Sequence, residues 1–324
     1  MEFLLQVENL GVYFHTLRGV AKAVDNISFT VKKEEFFGLV GESGCGKSTT
    51  ALSIMRMLDD SARIVGGRII FENEDIVRLP KHRMRRLWGR RLFMIFQDPM
   101  TSLNPVTKIQ DQIKEVLRRK AGRSLGKEET IERGSQLLQQ VDIPDPERVL
   151  NQFPHQLSGG MKQRVMIALG IALNPDLFLL DEPTTALDST VQFKIVELLQ
   201  NLKVKHKMSH ILITHDFGVA AKLCDKIAVM YAGKIVEQGK YLTLLRQAVH
   251  PYTQGLFKCI IRPGANRTYL ETMQGSLPSL YDLPQGCYFE QRCEMSKAIC
   301  REKEPKLTDL GDEHFVACHN PISS

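Results

Sequence analysis

The residues Gly41 to Ser48, GESGCGKS, fit the pattern G-x-x-x-x-G-K-[ST], whose chemistry is the binding of nucleotide phosphates. Its glycines let backbone N–H groups turn inward around phosphate oxygens. Lys47 would reach the β- and γ-phosphates, and Ser48 would ligate Mg²⁺. A Gly-rich turn is the bland alternative, which the surroundings disfavour. Before the loop stands the apolar run Phe36, Phe37, Gly38, Leu39, Val40, and after it Thr49 to Leu58 carries apolar residues at helical spacing. The loop therefore lies between a strand and a helix, whose N-terminus adds the positive end of its dipole.

Other places could do related chemistry. The apolar run Leu177 to Leu180 delivers two carboxylates, Asp181 and Glu182, and resembles the Mg²⁺-binding strand of phosphate-loop ATPases; a strand running into an acidic turn is the competing reading. Ser158, Gly159 and Gly160 precede a helical pattern from Met161 to Leu173, so Ser158 can cap that helix and its start is a second potential anion site. The run His210 to Thr214 reads as a buried strand that ends at His215 and Asp216. Four of the seven cysteines, Cys287, Cys293, Cys300 and Cys318, fall near the C-terminus with intervals of 5, 6 and 17 residues. Structural zinc prefers a tighter pair, four thiolates suit an iron–sulfur cluster, and unliganded thiols stay open, with His314 and His319 as nearby alternative ligands.

These groups need elements to position them. Leu4 to Phe14 and Val20 to Val31 alternate as antiparallel strands around a turn at His15 to Gly19, and Gly66 to Phe71 and Leu92 to Phe96 read as further strands. Phe14 ends its strand, where it is either core or a platform for an adenine ring. Thr107 to Val141 is helical with a break at Gly122 to Gly126, and Lys226 to Tyr231 with Lys234 to Gln238 forms a hairpin. The turn-rich stretch Pro99 to Pro105 follows Gln97 and Asp98. Past about Gly239 the composition shifts toward Pro, Gly and polar residues, which marks a separate C-terminal extension.

With 324 residues and 43% hydrophobic side chains the chain can bury a real core, which excludes disordered and fibrous classes. The formal charge of +6 suits an anionic ligand or membrane surface without demanding nucleic acid. The basic run Lys81 to Arg91, KHRMRRLWGRR, reads as a solvated helix face before a nucleic-acid or lipid patch. No apolar run approaches the roughly 18 residues that span a bilayer, and the longest obvious one, Val165 to Leu173, lies in an amphipathic pattern. The N-terminus lacks the features of a signal peptide, so the expectation is a cytosolic chain with reduced thiols. Cys224 and Cys259 read as packing residues, and Cys45 in the loop as a site of sensitivity to alkylation.

In their order, GESGCGKS (41–48), IFQDP (95–99), LSGGM followed by KQR (157–164), LFLLDEPTTALD (177–188) and ITHD (213–216) resemble the ATP-binding subunit of ABC transporters. The resemblance implies an α/β fold: an ABC-type ATPase domain over residues 1–240 with a mixed sheet core, an antiparallel β subdomain and a helical signature subdomain at about 100–172, then a Cys-containing extension over 241–324. It implies ATP and Mg²⁺ as ligands. Phe14 matches the adenine-stacking aromatic, and Gly41, Glu42, Ser43, Gly44, Cys45, Gly46, Lys47, Ser48 and Thr49 match the phosphate loop. Gln97 and Asp181 join Ser48 at the metal, Glu182 orients the attacking water, and His215 contacts the γ-phosphate. Ser158, Gly159, Gly160 and Gln163 face the nucleotide of the opposite subunit, and Asp188 matches the loop that crosses the dimer interface. Met161 and Cys45 depart from the usual residues at positions where the backbone N–H does the work.

MIFQDPMTSLNP (94–105), FPHQLSGGMKQRVMIA (153–168), HPYTQGL (250–256), GCYFEQRC (286–293) and VACH (316–319) are similar to the di- and oligopeptide importer branch, which includes nickel importers. That branch implies two membrane permeases, a second ATPase that is often a paralogue, an extracytoplasmic solute-binding protein, and a peripheral place on the cytoplasmic face of the inner membrane. It also implies a [4Fe–4S] cluster on the four C-terminal cysteines. A soluble ABC ATPase of translation or DNA repair is the alternative, with a redox regulator a third. One cassette and about 110 residues between Lys47 and Ser158 argue against the double cassettes and long coiled coils of the soluble types.

Overall fold

Alternation of apolar and polar residues builds the first two strands, β1 (Phe3–Thr16) and β2 (Gly19–Lys32), which pair antiparallel. The computed structural model describes residues 3–98, 102–185, 187–258 and 273–322. Residues 99–101 of the turn-rich stretch, and Cys259, lie outside the described residues. The chain divides into two units, Met1–Leu79 with Leu212–Ser324, and Pro80–Ile211.

In the first unit β1 also pairs antiparallel with β4 (Ala62–Phe71), and β5 (Glu74–Asp75) completes a four-stranded sheet in the order β2-β1-β4-β5. The ladders shift register near Leu10 and Val12, where Asn9 takes a left-handed conformation and donates its N–H to Ser28 Oγ at 2.8 Å. A second sheet contains β3 (Phe36–Val40), which runs parallel to β9 (Lys226–Tyr231) with Phe37 opposite Lys226. Every residue of both strands is buried, as the unbroken apolar runs require of a parallel pair covered on both faces. Phe29 of β2 stacks on Phe37 of β3 with centroids 4.9 Å apart, which joins the two sheets. The hairpin to β10 (Lys234–Lys240) turns at Ala232 and Gly233, both at positive φ, a turn whose twist matches the strands.

The helices of this unit are α1 (Lys47–Met55) and, after the return of the chain, α8 (Phe217–Leu223), α9 (Tyr241–Gln247), α10 (Pro251–Lys258) and α11 (Ala298–Glu302). Residues beyond 240 pack into the same unit. Strand β12 (Phe315–Val316) pairs with β10, Glu237 opposite Val316, and β11 (Thr308–Asp309) pairs with β12. Glu237 is fully buried and accepts the N–H groups of Val249 and His250, while His314 Nε2 lies 2.8 Å from its Oε1. A buried carboxylate so satisfied ties three segments together.

The second unit holds α2 (Lys81–Leu87), β6 (Leu92–Ile95), α3 (Ile109–Ala121), α4 (Lys127–Gln140), α5 (Pro146–Leu150), α6 (Gly159–Leu173), β7 (Leu177–Asp181) and α7 (Ser189–Lys205). Strand β8 (Ser209–Thr214) carries the chain back to the first. Strands β6 and β7 pair in parallel, Leu92 opposite Leu177. The expected break between α3 and α4 is present, with Gly122 left-handed at φ 67° as the C-cap. Helix α6 departs from its expected amphipathic pattern: even Lys162 and Gln163 are buried, so it is enclosed on nearly all sides. In the basic run, Lys81, His82, Arg83, Arg85 and Arg86 on α2 and Arg90 after it are exposed around one buried anchor, Met84.

Gly170 of α6 lets that helix approach β7, because a Cβ there would stand 2.4 Å from Phe178 Cζ. Gly170→Ala should lower the midpoint of thermal unfolding despite the better helix former, the crowding costing about 1–3 kcal/mol. A differential scanning calorimetry midpoint at or above that of the unaltered chain would contradict this packing.

Candidate functional site

The phosphate loop leaves β3 and enters α1 through Gly46, at φ 108° and with its Cα packed so closely that a Cβ would lie 2.2 Å from Ala23 O. Only glycine fits that conformation. Lys47 folds back over the loop, donating from Nζ to Gly41 O at 2.9 Å and to Glu42 O at 2.8 Å, which satisfies a cation that is almost wholly buried. Thr50 Oγ1 closes the first turn on Gly46 O at 3.0 Å. Ser43 and Gly44 are exposed, Ser48 and Thr49 half-buried, and no side chain caps the helix, so its first N–H groups face the loop's interior. This is an anion site made of backbone donors and one ammonium.

Cys45 corrects one expectation. Its side chain is 0% exposed, and burial pushes the thiol up although Lys47 Nζ, 3.8 Å from the sulfur, favours the thiolate. A buried thiol held protonated is a poor target for alkylation.

The outer face of the loop is held by two residues that the sequence reading did not assign. Glu42 donates its N–H to Tyr252 Oη at 3.2 Å, and its carboxylate receives the guanidinium of Arg292. Tyr252 belongs to the HPYTQGL string, whose His250 accepts the Tyr252 N–H on Nδ1 at 3.1 Å. Burial pushes His250 down to about 3, so it stays neutral and keeps that lone pair available. Phe14 is half-buried at the end of β1, opposite Ala21 and Ala62, and His215 is exposed one residue beyond β8, with Asp216 capping α8 through Gly218 and Val219 N–H.

The second unit brings Gln97 and Glu182 together. Gln97 Nε2 donates to Glu182 Oε2 at 3.0 Å, and Thr185 Oγ1 donates to the same oxygen at 2.8 Å. Thr185 lies in the quoted LFLLDEPTTALD string, where its hydroxyl had no assigned role. Asp181 closes β7 and Glu182 follows at φ 46°, a left-handed backbone that costs energy outside glycine and aims the carboxylate away from the strand. Both carboxylates are buried.

Ser158 caps α6 as the sequence reading has it, its Oγ accepting the Met161 N–H at 3.3 Å. Ser158 and Gly159 are exposed, and Gly160 is tight against α7, where a Cβ would meet Val191 Cγ1 at 2.5 Å. Gln163 stands apart from this set: it is 1% exposed, with no hydrogen-bond partner for Nε2. Asp188 caps α7, accepting the N–H groups of Thr190 and Val191 on one oxygen.

The four C-terminal thiols gather in the first unit. Burial pushes Cys287 up to about 12 and raises Cys293 and Cys318, with a smaller contribution from the neighbouring cysteines. Backbone N–H groups of Phe289, Met295 and Asn320 donate to the sulfurs of Cys287, Cys293 and Cys318. Among the described residues, however, no three His, Cys, Asp or Glu side chains are disposed to hold a metal ion, so the metal expectation gains no support from that geometry. Cys224 is buried beside Gly38, as a packing residue would be.

Two family models match. One, described as ABC transporter, covers residues 24–185, and the other, described as oligopeptide/dipeptide transporter, C-terminal region, covers residues 236–300. The dipeptide transport ATP-binding protein DppD of Haemophilus influenzae is 45% identical over 322 residues, 99% of this chain and 96% of that one. The protein of the same name from Escherichia coli is 43% identical over 319 residues, 98% of this chain and 97% of that one. The oligopeptide transport ATP-binding protein OppD of Salmonella typhimurium is 42% identical over 319 residues, 98% and 94% of the two chains. A dimeric ATP-binding cassette in a post-hydrolysis state, bound to ADP and Pi, superposes with a TM-score of 0.66 at 27% identity, covering 73% of this chain and 98% of that one. The chain belongs to the ABC transporter family of ATPases, among the ATP-binding proteins of its dipeptide and oligopeptide branch.

Proposed function

We propose that this chain hydrolyses ATP to power the uptake of di- or oligopeptides, or a related small solute, through a membrane complex. The observation that carries the peptide assignment is the full-length similarity to dipeptide transport ATP-binding proteins, with the branch's own C-terminal region included. In the first unit the loop Gly41 to Thr49 takes the phosphates, Lys47 neutralises the transferring group, Phe14 stacks on the base and His215 contacts the γ-phosphate. In the second, Glu182 orients and deprotonates the attacking water, and Gln97 and Thr185, both bonded to Oε2, fix the direction in which its lone pairs point. The hydroxyl of Ser48, the amide of Gln97 and the carboxylate of Asp181 are hard oxygen donors of the kind Mg²⁺ takes, and they would hold it. When bound, the ion neutralises charge on the β- and γ-phosphates.

Ser158 and Gly159, exposed at the start of a 15-residue helix, and the half-buried Gly160 after them are read as meeting a nucleotide carried by another ATPase chain, with Asp188 in the reading as part of the contact between the two. The buried Gln163 would support that helix from behind. The partners are two permeases and a second ATPase, a paralogue or a second copy, fed by a solute-binding protein outside the cell. No helix among the described residues is long and apolar enough to cross a membrane, and a peripheral place on the cytoplasmic face follows from binding the permeases. The domain reading keeps residues 1–240 as the ATPase and 241–324 as an appended region.

The four cysteines are proposed as ligands of a [4Fe–4S] cluster. The support is donor chemistry: four cysteines within one region, three of which, Cys287, Cys293 and Cys318, already receive a backbone N–H at sulfur. Anaerobic purification should then yield about four iron and four acid-labile sulfide per chain. A chain with neither, and with all thiols titratable once unfolded, would sink the cluster.

Glu182→Gln should lower ATP turnover in the assembled complex by about 10²–10⁴-fold, the usual worth of a positioned general base, while an ATP-bound dimer accumulates. Fast hydrolysis by that variant would remove Glu182 from its role. Mass spectrometry of the chain isolated from native membranes should find two multi-spanning proteins and a second ATPase; recovery with ribosomes or DNA and no membrane protein would favour the soluble alternative.

A further inference from the structure

The C-terminal region reaches the phosphate loop through two side chains at Glu42, Tyr252 on its N–H and Arg292 on its carboxylate. Arg292 ends a short 3-10 turn, Glu290–Arg292, whose C-cap is Cys293. Its guanidinium forks onto Glu42, Nη1 to Oε2 at 3.0 Å and Nη2 to Oε1 at 3.1 Å, and Nε donates to Gln274 O at 2.9 Å. The cation lies 5.7 Å from the Tyr231 ring centre and 5.9 Å from that of Phe289, and the side chain is only 6% exposed. Gly275, at φ 82°, makes room for it: a Cβ there would stand 3.2 Å from Arg292 Cγ. A planar, bidentate pair of this kind, partly shielded from water, fixes orientation as well as charge.

Glu42 is thereby held at three points: the carboxylate by Arg292, the N–H by Tyr252 and the carbonyl by Lys47. It is the second residue of the phosphate loop, so fixing it fixes the backbone from which the loop's donors project. An unpaired carboxylate at that position would also repel the phosphates.

We propose that Arg292 is a positioning residue for nucleotide binding, acting through Glu42 to hold the phosphate loop in its receptive shape and to cancel the loop's one acidic charge. This rests on the reading of Gly41 to Thr49 as the ATP site. The C-terminal region is on this account a working part of the nucleotide site, with the Arg292–Glu42 ion pair as its charged link to the loop.

The test is stopped-flow binding of a fluorescent N-methylanthraniloyl ATP with Mg²⁺ to the full-length chain. Arg292→Ala should weaken affinity by about tenfold, mainly through faster release, as truncating a buried charge pair does, and Arg292→Lys should recover part of it. In a Glu42→Gln background the same Arg292→Ala change should cost no more than about twofold, because residues that act as a unit are not additive. An equal factor in both backgrounds, or unaltered affinity in Arg292→Ala, would overturn the proposal. If Arg292→Ala does not fold, Arg292→Lys carries the same comparison, weaker in the native background and silent beside Glu42→Gln. Lys47→Ala separates the underlying reading: if it binds the nucleotide normally, the loop assignment itself fails.

Discussion

A loop that offers its N–H groups to an anion cannot spend them on its own secondary structure, so other parts of the chain must hold it open. Here that constraint is met from three directions. Lys47 ties down the carbonyls of Gly41 and Glu42 from within, and the backbone of β2 crowds Gly46 at Ala23. Tyr252 and Arg292 brace Glu42 from behind. The aromatic cluster beneath them, Tyr231, Tyr252 and Phe289 with centroids 4.8–5.3 Å apart, gives those two side chains a rigid bed. Binding energy that would go into ordering a loose loop is left for the ligand.

The second unit solves a different problem, the aiming of acceptors. Glu182 leaves strand β7 through a left-handed backbone, and in the proposed reading that turn sets its carboxylate toward the attacking water. Gln97 and Thr185 hold the result by hydrogen bonds to one oxygen, Oε2. Nearby in sequence, Ser158 and Asp188 spend their side chains on capping α6 and α7, which satisfies the first-turn N–H groups of Met161, Thr190 and Val191.

Much of this was legible from residue order because the signals are local. Apolar runs with no polar break, such as Phe36–Val40 and the Ile227–Met230 stretch of β9, read directly as buried strands, and Gly122 to Gly126 as the interruption of a helix. Local signals failed where distance in space mattered more than distance in sequence. The seam between Glu42 and Arg292 joins residues 250 apart, and no pattern in either segment names the other. Cys45 looked reactive because the loop motif says nothing of the protein packed around it. Helix α6 looked amphipathic because Lys162 and Gln163 count as polar in any periodicity, whereas both are enclosed. Helix α7 passed unnoticed, since Ser189–Lys205 mixes polar residues into its buried stripe of Ile195, Leu198, Leu199 and Leu202.

The parallel pairing of β3 with β9 sets a schedule for synthesis. Phe37 lies opposite Lys226, so β3 leaves the ribosome 189 residues before its partner on that side. At about 5–20 residues per second the wait is roughly 10–40 s. Throughout it FFGLV, uncharged and rich in β-formers, is an open edge of the sort that sticks to other chains. The whole second unit, Pro80–Ile211, emerges in that interval and can fold first. A nascent chain of this protein therefore spends its most vulnerable period with the nucleotide strand bare, and holding that strand is a natural task for a ribosome-associated chaperone.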